Sequence, residues 1–246
     1  MKLSKNYTVR WHETNANREM TPSAILVLMQ EMANLHMMEL YPCLEDFRDV
    51  ERKAFILSKI FIRFEKPIHA YDEIAVSTWT GEETKGYSFY RNFTVERSGE
   101  TVADALSIWA LTDIDKKTII PVSEFRHNFE NEKSIEMNMP RRIKFPAAKE
   151  AEFAGSKKIM YSDIDYNGHM NNTHYPNMLA DFLPTPEKYR IKDMTLSFLS
   201  GSIYNEEISI YRTQENDRFY FRTLNGDGKV CLEAYVTVEE REDSIK

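Results

Sequence analysis

The chain is poor in cysteine, and its cysteines are badly placed for cross-linking. Cys43 and Cys231 are the two in 246 residues, far apart and outside any Cys-x-x-Cys spacing. That argues against a disulfide scaffold or a zinc site and for a reducing compartment. Long apolar runs are missing as well. No stretch approaches the roughly 18 consecutive apolar residues of a membrane span, and the opening Met1-Lys-Leu-Ser-Lys-Asn-Tyr lacks the apolar segment of a secretory leader. A soluble, cytoplasmic protein is expected. Positive charge is short too, with Lys+Arg 32 against Asp+Glu 39 and a formal net charge of −7. Nucleic-acid binding needs a basic surface for phosphate, so this balance argues against that class. An acidic protein partner would need a local basic patch working against the global field. Arg141, Arg142 and Lys144 form one basic cluster and Lys157 and Lys158 another, each read most simply as solvated linker.

What is present is an ample core, with 42% hydrophobic and 12% aromatic residues, enough for one large domain or two small ones. The most informative stretch is 161–175, Tyr-Ser-Asp-Ile-Asp-Tyr-Asn-Gly-His-Met-Asn-Asn-Thr-His-Tyr. It puts Asp165, Asn167 and His169 at alternate positions, just before a helix start whose free backbone N–H groups can hold an incipient oxyanion. That is hydrolytic equipment without a serine or cysteine nucleophile.

The chain also repeats itself. His12-Glu-Thr-Asn-Ala-Asn-Arg-Glu-Met20 lines up with Ser162-Asp-Ile-Asp-Tyr-Asn-Gly-His-Met170, so Asn15 faces Asp165, Asn17 faces Asn167 and Glu19 faces His169. The first copy keeps the shape of the motif but lacks its acid and its imidazole, which leaves the chemistry to the second. After the first motif, Thr21 is a plausible N-cap and Pro22 a first helical residue, with Ile25, Leu28, Met32 and Leu35 at helical spacing. Ile56, Ser58, Ile60, Ile62 and Phe64 then alternate as a strand, followed by strand-like runs 73–79, 88–96 and 102–113. The second copy's helix starts near Asn171 or Asn172 and stops at Leu183-Pro-Thr-Pro186; Pro176 fits only in its first turn. Strand-like runs follow at 193–198, 207–213, 218–224 and 229–238, with a strong turn at Asn225-Gly-Asp-Gly228. A helix followed by consecutive antiparallel strands is the unit of a hotdog fold. The expected class is α+β: a tandem, double hotdog with two helices packed on one continuous antiparallel sheet. The boundaries read are 1–138 for the first hotdog, 139–156 for a linker and 157–246 for the catalytic second hotdog.

The string Asp163-Ile-Asp165-Tyr-Asn167-Gly-His169-Met-Asn171-Asn172 resembles the catalytic motif of the acyl-ACP thioesterases of plants and their bacterial relatives. The likeness covers nearly the whole chain: 11–31 resembles that family's opening strand and first long helix, 55–79 its next two strands, and 87–122 the following pair. The resemblance implies hydrolysis of medium- or long-chain acyl-ACP to free fatty acid, with the carrier protein as partner and no metal or organic cofactor. It also implies Asp165, Asn167 and His169 as the catalytic set. Asp165 and His169 are the candidates for activating water, in an order the sequence leaves open. Asn167 cannot titrate and would position substrate or water. Backbone N–H groups of Met170, Asn171 and Asn172 are the expected oxyanion donors. His174 is read as an early helix residue near the pocket wall.

One departure stands out. Plant members carry a Glu-Cys pair on the strand after the second helix, where matching on Leu196-Ser-Phe198 places Gly201 and Ser202 here. The catalytic Glu is absent, and Ser202 is expected to keep a polar contact with substrate or water. Restoring the acid by Gly201→Glu would raise turnover if its loss is limiting. Met29 and Met32, soft and unbranched, are candidate linings of the acyl pocket in the first copy. Three alternatives share the scaffold: an acyl-CoA thioesterase, an acyl-binding protein without turnover, and a dehydratase of 3-hydroxyacyl thioesters. Acyl length and further dimerisation of the double unit are left open by the sequence.

Overall fold

Thr21 caps the first helix as its hydroxyl accepts the Ala24 N–H at 3.2 Å, and Pro22 occupies the first helical position, where its missing N–H costs nothing. The computed structural model describes residues 1–40, 44–127, 130–146 and 151–241; Cys43 lies outside them. The first copy runs β1 (Leu3–Thr8), α1 (Pro22–Leu40), α2 (Leu44–Asp49), β2 (Lys53–Phe64), β3 (Glu73–Thr80), β4 (Phe89–Arg97), β5 (Glu100–Asp113) and the short β6 (Thr118–Ile120). The second runs β7 (Glu152–Lys158), α3 (Tyr175–Asp181), β8 (Tyr189–Phe198), β9 (Glu207–Glu215), β10 (Arg218–Leu224) and β11 (Val230–Glu240).

The strands form one antiparallel sheet in the order β1-β3-β4-β5-β2-β8-β11-β10-β9-β7, with β6 on β5. The order of the first half is repeated, reversed, in the second. The seam is β2 against β8, with Phe61 opposite Thr195 at its centre. The chain is a tandem hotdog, with α1 and α3 over one face. Across the seam the two helices clasp: the Ser23 N–H donates to Asn177 Oδ1 at 3.1 Å and the Asn177 N–H to Ser23 Oγ at 3.0 Å. A single core cluster runs through both copies and includes Leu26, Met29, Ile60 and Ile62 from the first and Leu179, Met194, Leu196 and Val236 from the second.

Three elements differ from the sequence reading. The opening strand is 3–8 rather than near Trp11, because the Glu13 carboxylate accepts the Arg10 N–H at 2.8 Å and the Tyr7 hydroxyl at 2.5 Å, curling 11–13 into a 3₁₀ turn. The helix α2 carried no periodic signal in its few residues. The strand β7 begins inside the segment read as linker and pairs with β9. Residues 140–145 form a strap on the sheet's other face. Ile60 and Ile62 point into the core, so Lys59, Phe61 and Arg63 point away from it; the Lys59 ammonium donates to the carbonyls of Pro140 and Arg141 at 3.1 and 2.8 Å. Ile143 packs with Tyr220 and Tyr235. Arg141, Arg142 and Lys144 therefore border a groove with Arg63 and Arg218 behind the sheet.

One core across two copies predicts one unfolding transition. Ile62→Ala, at a fully buried site, is expected to cost about 2–5 kcal/mol and to shift the urea midpoint of the whole chain. Two separated transitions, with only the first moving, would refute a shared core.

Candidate functional site

The second copy's motif is a tight loop held by its own backbone. The Asp163 carboxylate turns back to accept the Met160 N–H at 2.8 Å. The Asp165 N–H donates to the His169 carbonyl at 2.8 Å, and Ile164 bridges Met170 across the loop's neck. Asp165 Oδ1 accepts the Asn167 N–H at 2.7 Å and, more weakly, the His169 N–H at 3.4 Å. Gly168 takes the left-handed conformation this turn requires, at φ 78°. One oxygen of Asp165 is thus engaged in holding the loop. The other, Oδ2, accepts no hydrogen bond among the described residues, and no hydrogen bond joins this carboxylate to the His169 ring.

The first copy builds the same loop. Asn15 Oδ1 accepts the Asn17 and Glu19 N–H groups at 2.9 and 3.2 Å, and Arg18 adopts the same left-handed turn at φ 63°. The Met20 N–H donates to the Ile68 carbonyl where the Met170 N–H donates to that of Ser202. Glu19, in the place of His169, forms a bidentate pair with Arg241.

The loop of the second copy opens on a cavity of about 480 Å³ whose opposite wall belongs to the first. Asp165, Asn167 and Asn171 supply its polar side; Met37, Phe55 and Trp109 supply apolar wall, with Asn34 on α1 beside them. Phe55, Trp109, Met37 and Asn34 also border a smaller cavity of about 40 Å³ further in, together with Phe89 and Arg91. There Arg91 donates to His36 Nδ1 at 2.8 Å, so the imidazole accepts at that atom. Burial pushes His36 down to about 4.

Two amides face the cavity with the same orientation. Asn167 Oδ1 accepts from Arg48 Nη1 at 2.7 Å; a guanidinium only donates, so the atom bonded to it must be the oxygen, leaving the –NH₂ uncommitted. Asn171 Oδ1 caps the next turn, accepting the Thr173 N–H and hydroxyl at 3.0 and 2.9 Å, which again leaves the –NH₂. The expected backbone donors fare differently. The Met170 N–H is bonded to the Ser202 carbonyl and that of Asn171 to the Asp163 carbonyl, both at 2.8 Å. Only the Asn172 N–H, first in its 3₁₀ turn, has no carbonyl behind it within that turn.

Two family models cover most of the chain: the acyl-ACP thioesterase N-terminal domain matches residues 1–128 and the C-terminal domain matches 147–236. The chain belongs to the acyl-ACP thioesterase family. A curated relative, a chloroplastic palmitoyl-acyl carrier protein thioesterase of Arabidopsis thaliana, is 23% identical over 210 residues, covering 79% of this chain and 50% of its own. The chain therefore spans about half the length of that relative. Among solved structures, an acyl-ACP thioesterase from Bacteroides thetaiotaomicron superposes with a TM-score of 0.86 at 18% identity, covering 97% of this chain and 98% of that one. A 12:0-ACP thioesterase from Umbellularia californica gives 0.82 at 17% identity, covering 98% of each. At such identities the likeness concerns the fold.

Gly201 is more than a missing acid. A Cβ at this position would stand 2.3 Å from His169 Cδ2 and 2.6 Å from Cγ, so the exposed imidazole occupies the space a side chain would fill. A glutamate introduced by Gly201→Glu would meet the ring, which must move aside to admit it. Ser202 is fully buried, 3.2 Å from the Tyr175 hydroxyl, whose pKa is pushed up to about 12 by burial. Its side chain is packed inside the fold against that hydroxyl. Met29 and Met32 sit in the main core cluster; the methionine bordering the cavity is Met37.

His174 pairs with Asp163, Nδ1 to Oδ1 at 3.1 Å, and Lys157 approaches the other oxygen at 3.1 Å. Although burial opposes the charged form, the Met160 N–H, His174 and Lys157 together hold the Asp163 carboxyl below its ordinary value. Lys157 thereby supports the motif turn rather than forming a free basic patch. Arg48 was not visible in the sequence, because it reaches Asn167 from 119 residues away; its guanidinium stacks 3.8 Å from the Tyr166 ring centre. Among the described residues no three His, Cys, Asp or Glu side chains are placed to hold a metal ion, and no helix is long and apolar enough to cross a membrane.

Gly201→Ala should leave the fold intact and move the His169 ring off the backbone, seen as displaced imidazole signals in NMR. Unchanged ring signals would mean that the ring does not rest on this glycine.

Proposed function

We propose that the protein hydrolyses medium- or long-chain acyl-ACP to free fatty acid, with Asp165 as the base that activates water. The observation that carries this reading is the convergence of one unengaged carboxylate oxygen and two amide –NH₂ groups on a cavity with an apolar, aromatic inner wall. Asp165 Oδ2 takes a proton from water as the water oxygen bonds to the thioester carbonyl carbon. The oxyanion forms beside the Asn167 and Asn171 amides, which are preorganised because their carbonyl oxygens are already bonded. Collapse breaks the C–S bond and releases the fatty acid. His169 lines the loop's outer side, exposed, where the thiol arm leaves; we assign it delivery of a proton to the sulfur. The proton held by Asp165 returns to solvent.

The partner follows from the mouth. Arg48, Lys53 and Glu45 border the cavity, and Lys53 is paired with Glu51 at 2.9 Å, so the rim is of mixed charge in a chain of net charge −7. The phosphate-bearing arm of an acidic carrier would meet the Arg48 guanidinium there. In this reading the first hotdog holds the acyl chain and the second carries the chemistry, and the protein works in the cytoplasm. Coenzyme A presents the same arm, so matched acyl-CoAs belong in the test.

With purified protein and a panel of acyl-ACPs, Asp165→Ala and His169→Ala are each expected to lower turnover about a hundredfold. Their roles separate on leaving group: a thioester of a more acidic thiol should rescue His169→Ala and leave Asp165→Ala impaired. Rescue of the aspartate variant instead would exchange the two roles. Faster turnover of acyl-CoA than of acyl-ACP would reassign the carrier.

Chain length is set in this reading by Phe55, which walls off the inner cavity and packs 5.0 Å from Phe89 and 5.6 Å from Phe125, centre to centre. Phe55→Leu should raise the ratio of kcat/KM for long over short acyl chains about tenfold, the scale of pocket discrimination by a methylene or two. An unchanged profile across the panel would place the chain elsewhere.

A further inference from the structure

The two-fold relation between the copies generates a second cavity. The catalytic one lies between the second copy's loop and the first copy's helix and seam strand. Its counterpart lies between the first copy's loop, at Asn15, Ala16 and Asn17, and the second copy's helix and seam strand, at Ala180, Asp181 and Ile191. Its volume is about 470 Å³, within the few-hundred to thousand Å³ of ordinary ligand pockets. The deep wall is apolar, formed by Ile25, Phe64, Ile68, Leu183 and Tyr189.

The polar end differs from the catalytic site in a way that selects a ligand. Asn15 stands where Asp165 stands, so the loop position that carries a carboxylate in the second copy carries a neutral amide here. Glu19 stands where His169 stands and is held by Arg241. That guanidinium also donates from Nε to the Tyr189 carbonyl at 3.1 Å. A guanidinium has five N–H donors; these three bonds leave two with no partner among the described residues. Arg241 is only 14% exposed, and Lys66 and Arg190 border the same cavity. Both are themselves paired, with Glu100 and Glu239, and the acids Asp181 and Glu187 also border it. Burial pushes the Asp181 carboxyl up.

We propose that this cavity binds a long-chain monocarboxylate without turning it over, the carboxylate on the free N–H donors of Arg241 and the chain against the Phe64–Leu183 wall. The choice of ligand rests on the proposed reaction, whose product is of this class; the cavity rests on the repeat alone. An occupant would touch both copies, bridging the first motif loop to α3 and the seam strand β8.

The probe is laurate, titrated calorimetrically into the full chain and two variants. Ala180→Trp fills the cavity from the half-buried end of α3, and Arg241→Gln removes the cation while leaving the space. Wild type should bind two laurates, one in each cavity. Ala180→Trp should bind one, and Arg241→Gln should hold one of the two at least tenfold more weakly, both retaining wild-type hydrolysis of acyl-ACP. Loss of all laurate binding in Ala180→Trp would equally place the ligand in the second cavity. A stoichiometry that Ala180→Trp does not lower overturns the proposal, whichever its wild-type value. The outcome is independent of the hydrolase reading: an Ala180→Trp-sensitive laurate in a protein without turnover would keep this site and discard that reaction.

Discussion

The pairing of β2 with β8 decides where everything else lies. Phe61 opposite Thr195 puts a two-fold relation through the middle of the sheet, and the Ser23–Asn177 exchange repeats it between the helices. Each copy's motif loop must then face the other copy's helix. The cavity beside the Asp165 loop needs both copies: α1, Phe55 and Trp109 come from the other half. Covalent linkage allows the two halves to differ, so one loop can keep its acid while the other trades it for an amide.

That divergence spares the loop because its folding and its chemistry use different atoms. Either Asp165 or Asn15 supplies a side-chain oxygen two and four residues ahead of the N–H groups it accepts. An amide does that as well as a carboxylate. Only the second heteroatom distinguishes them, a carboxylate oxygen in the second copy and an amide nitrogen in the first. Position 169 obeys the same logic: the backbone bridge there tolerates histidine or glutamate, and the side chain chooses its partner, Gly201 in one copy and Arg241 in the other.

The repeat, both helices, the seam strand and the loop were legible because they depend on local chemistry: caps, alternation and turn residues within a few positions. The long strands and the Asn225–Gly228 turn belong to the same class. What was not legible depends on contacts distant in sequence. Arg48 on Asn167, Phe55 and Trp109 at the cavity, and Arg241 on Glu19 have no periodicity to give them away. The methionines misled for a related reason: α1 is apolar over so broad a face that spacing cannot tell core-facing Met29 and Met32 from cavity-facing Met37. The opening strand was placed from family resemblance at 11–31, while the Glu13 contacts that curl 11–13 are made by Arg10 and Tyr7 outside that stretch.

Family resemblance read Gly201 as a loss, and the geometry gives it a second meaning. A side chain there and an imidazole lying on the backbone are mutually exclusive at 2.3 Å. The chain has taken the second arrangement, so the acid cannot return without the histidine moving. What replaces an orienting carboxylate is not another acid: Glu206 is turned to the Ile203 N–H at 3.0 Å, and Ser202 faces the core. The loop's polarity at the cavity is two amides fixed by Arg48 and Thr173, with Asp165 ahead of both in sequence. The polar groups that this loop offers are therefore two fixed amides and one carboxylate oxygen without a partner among the described residues, and fixed dipoles gain strength beside an apolar wall such as that of Met37, Phe55 and Trp109.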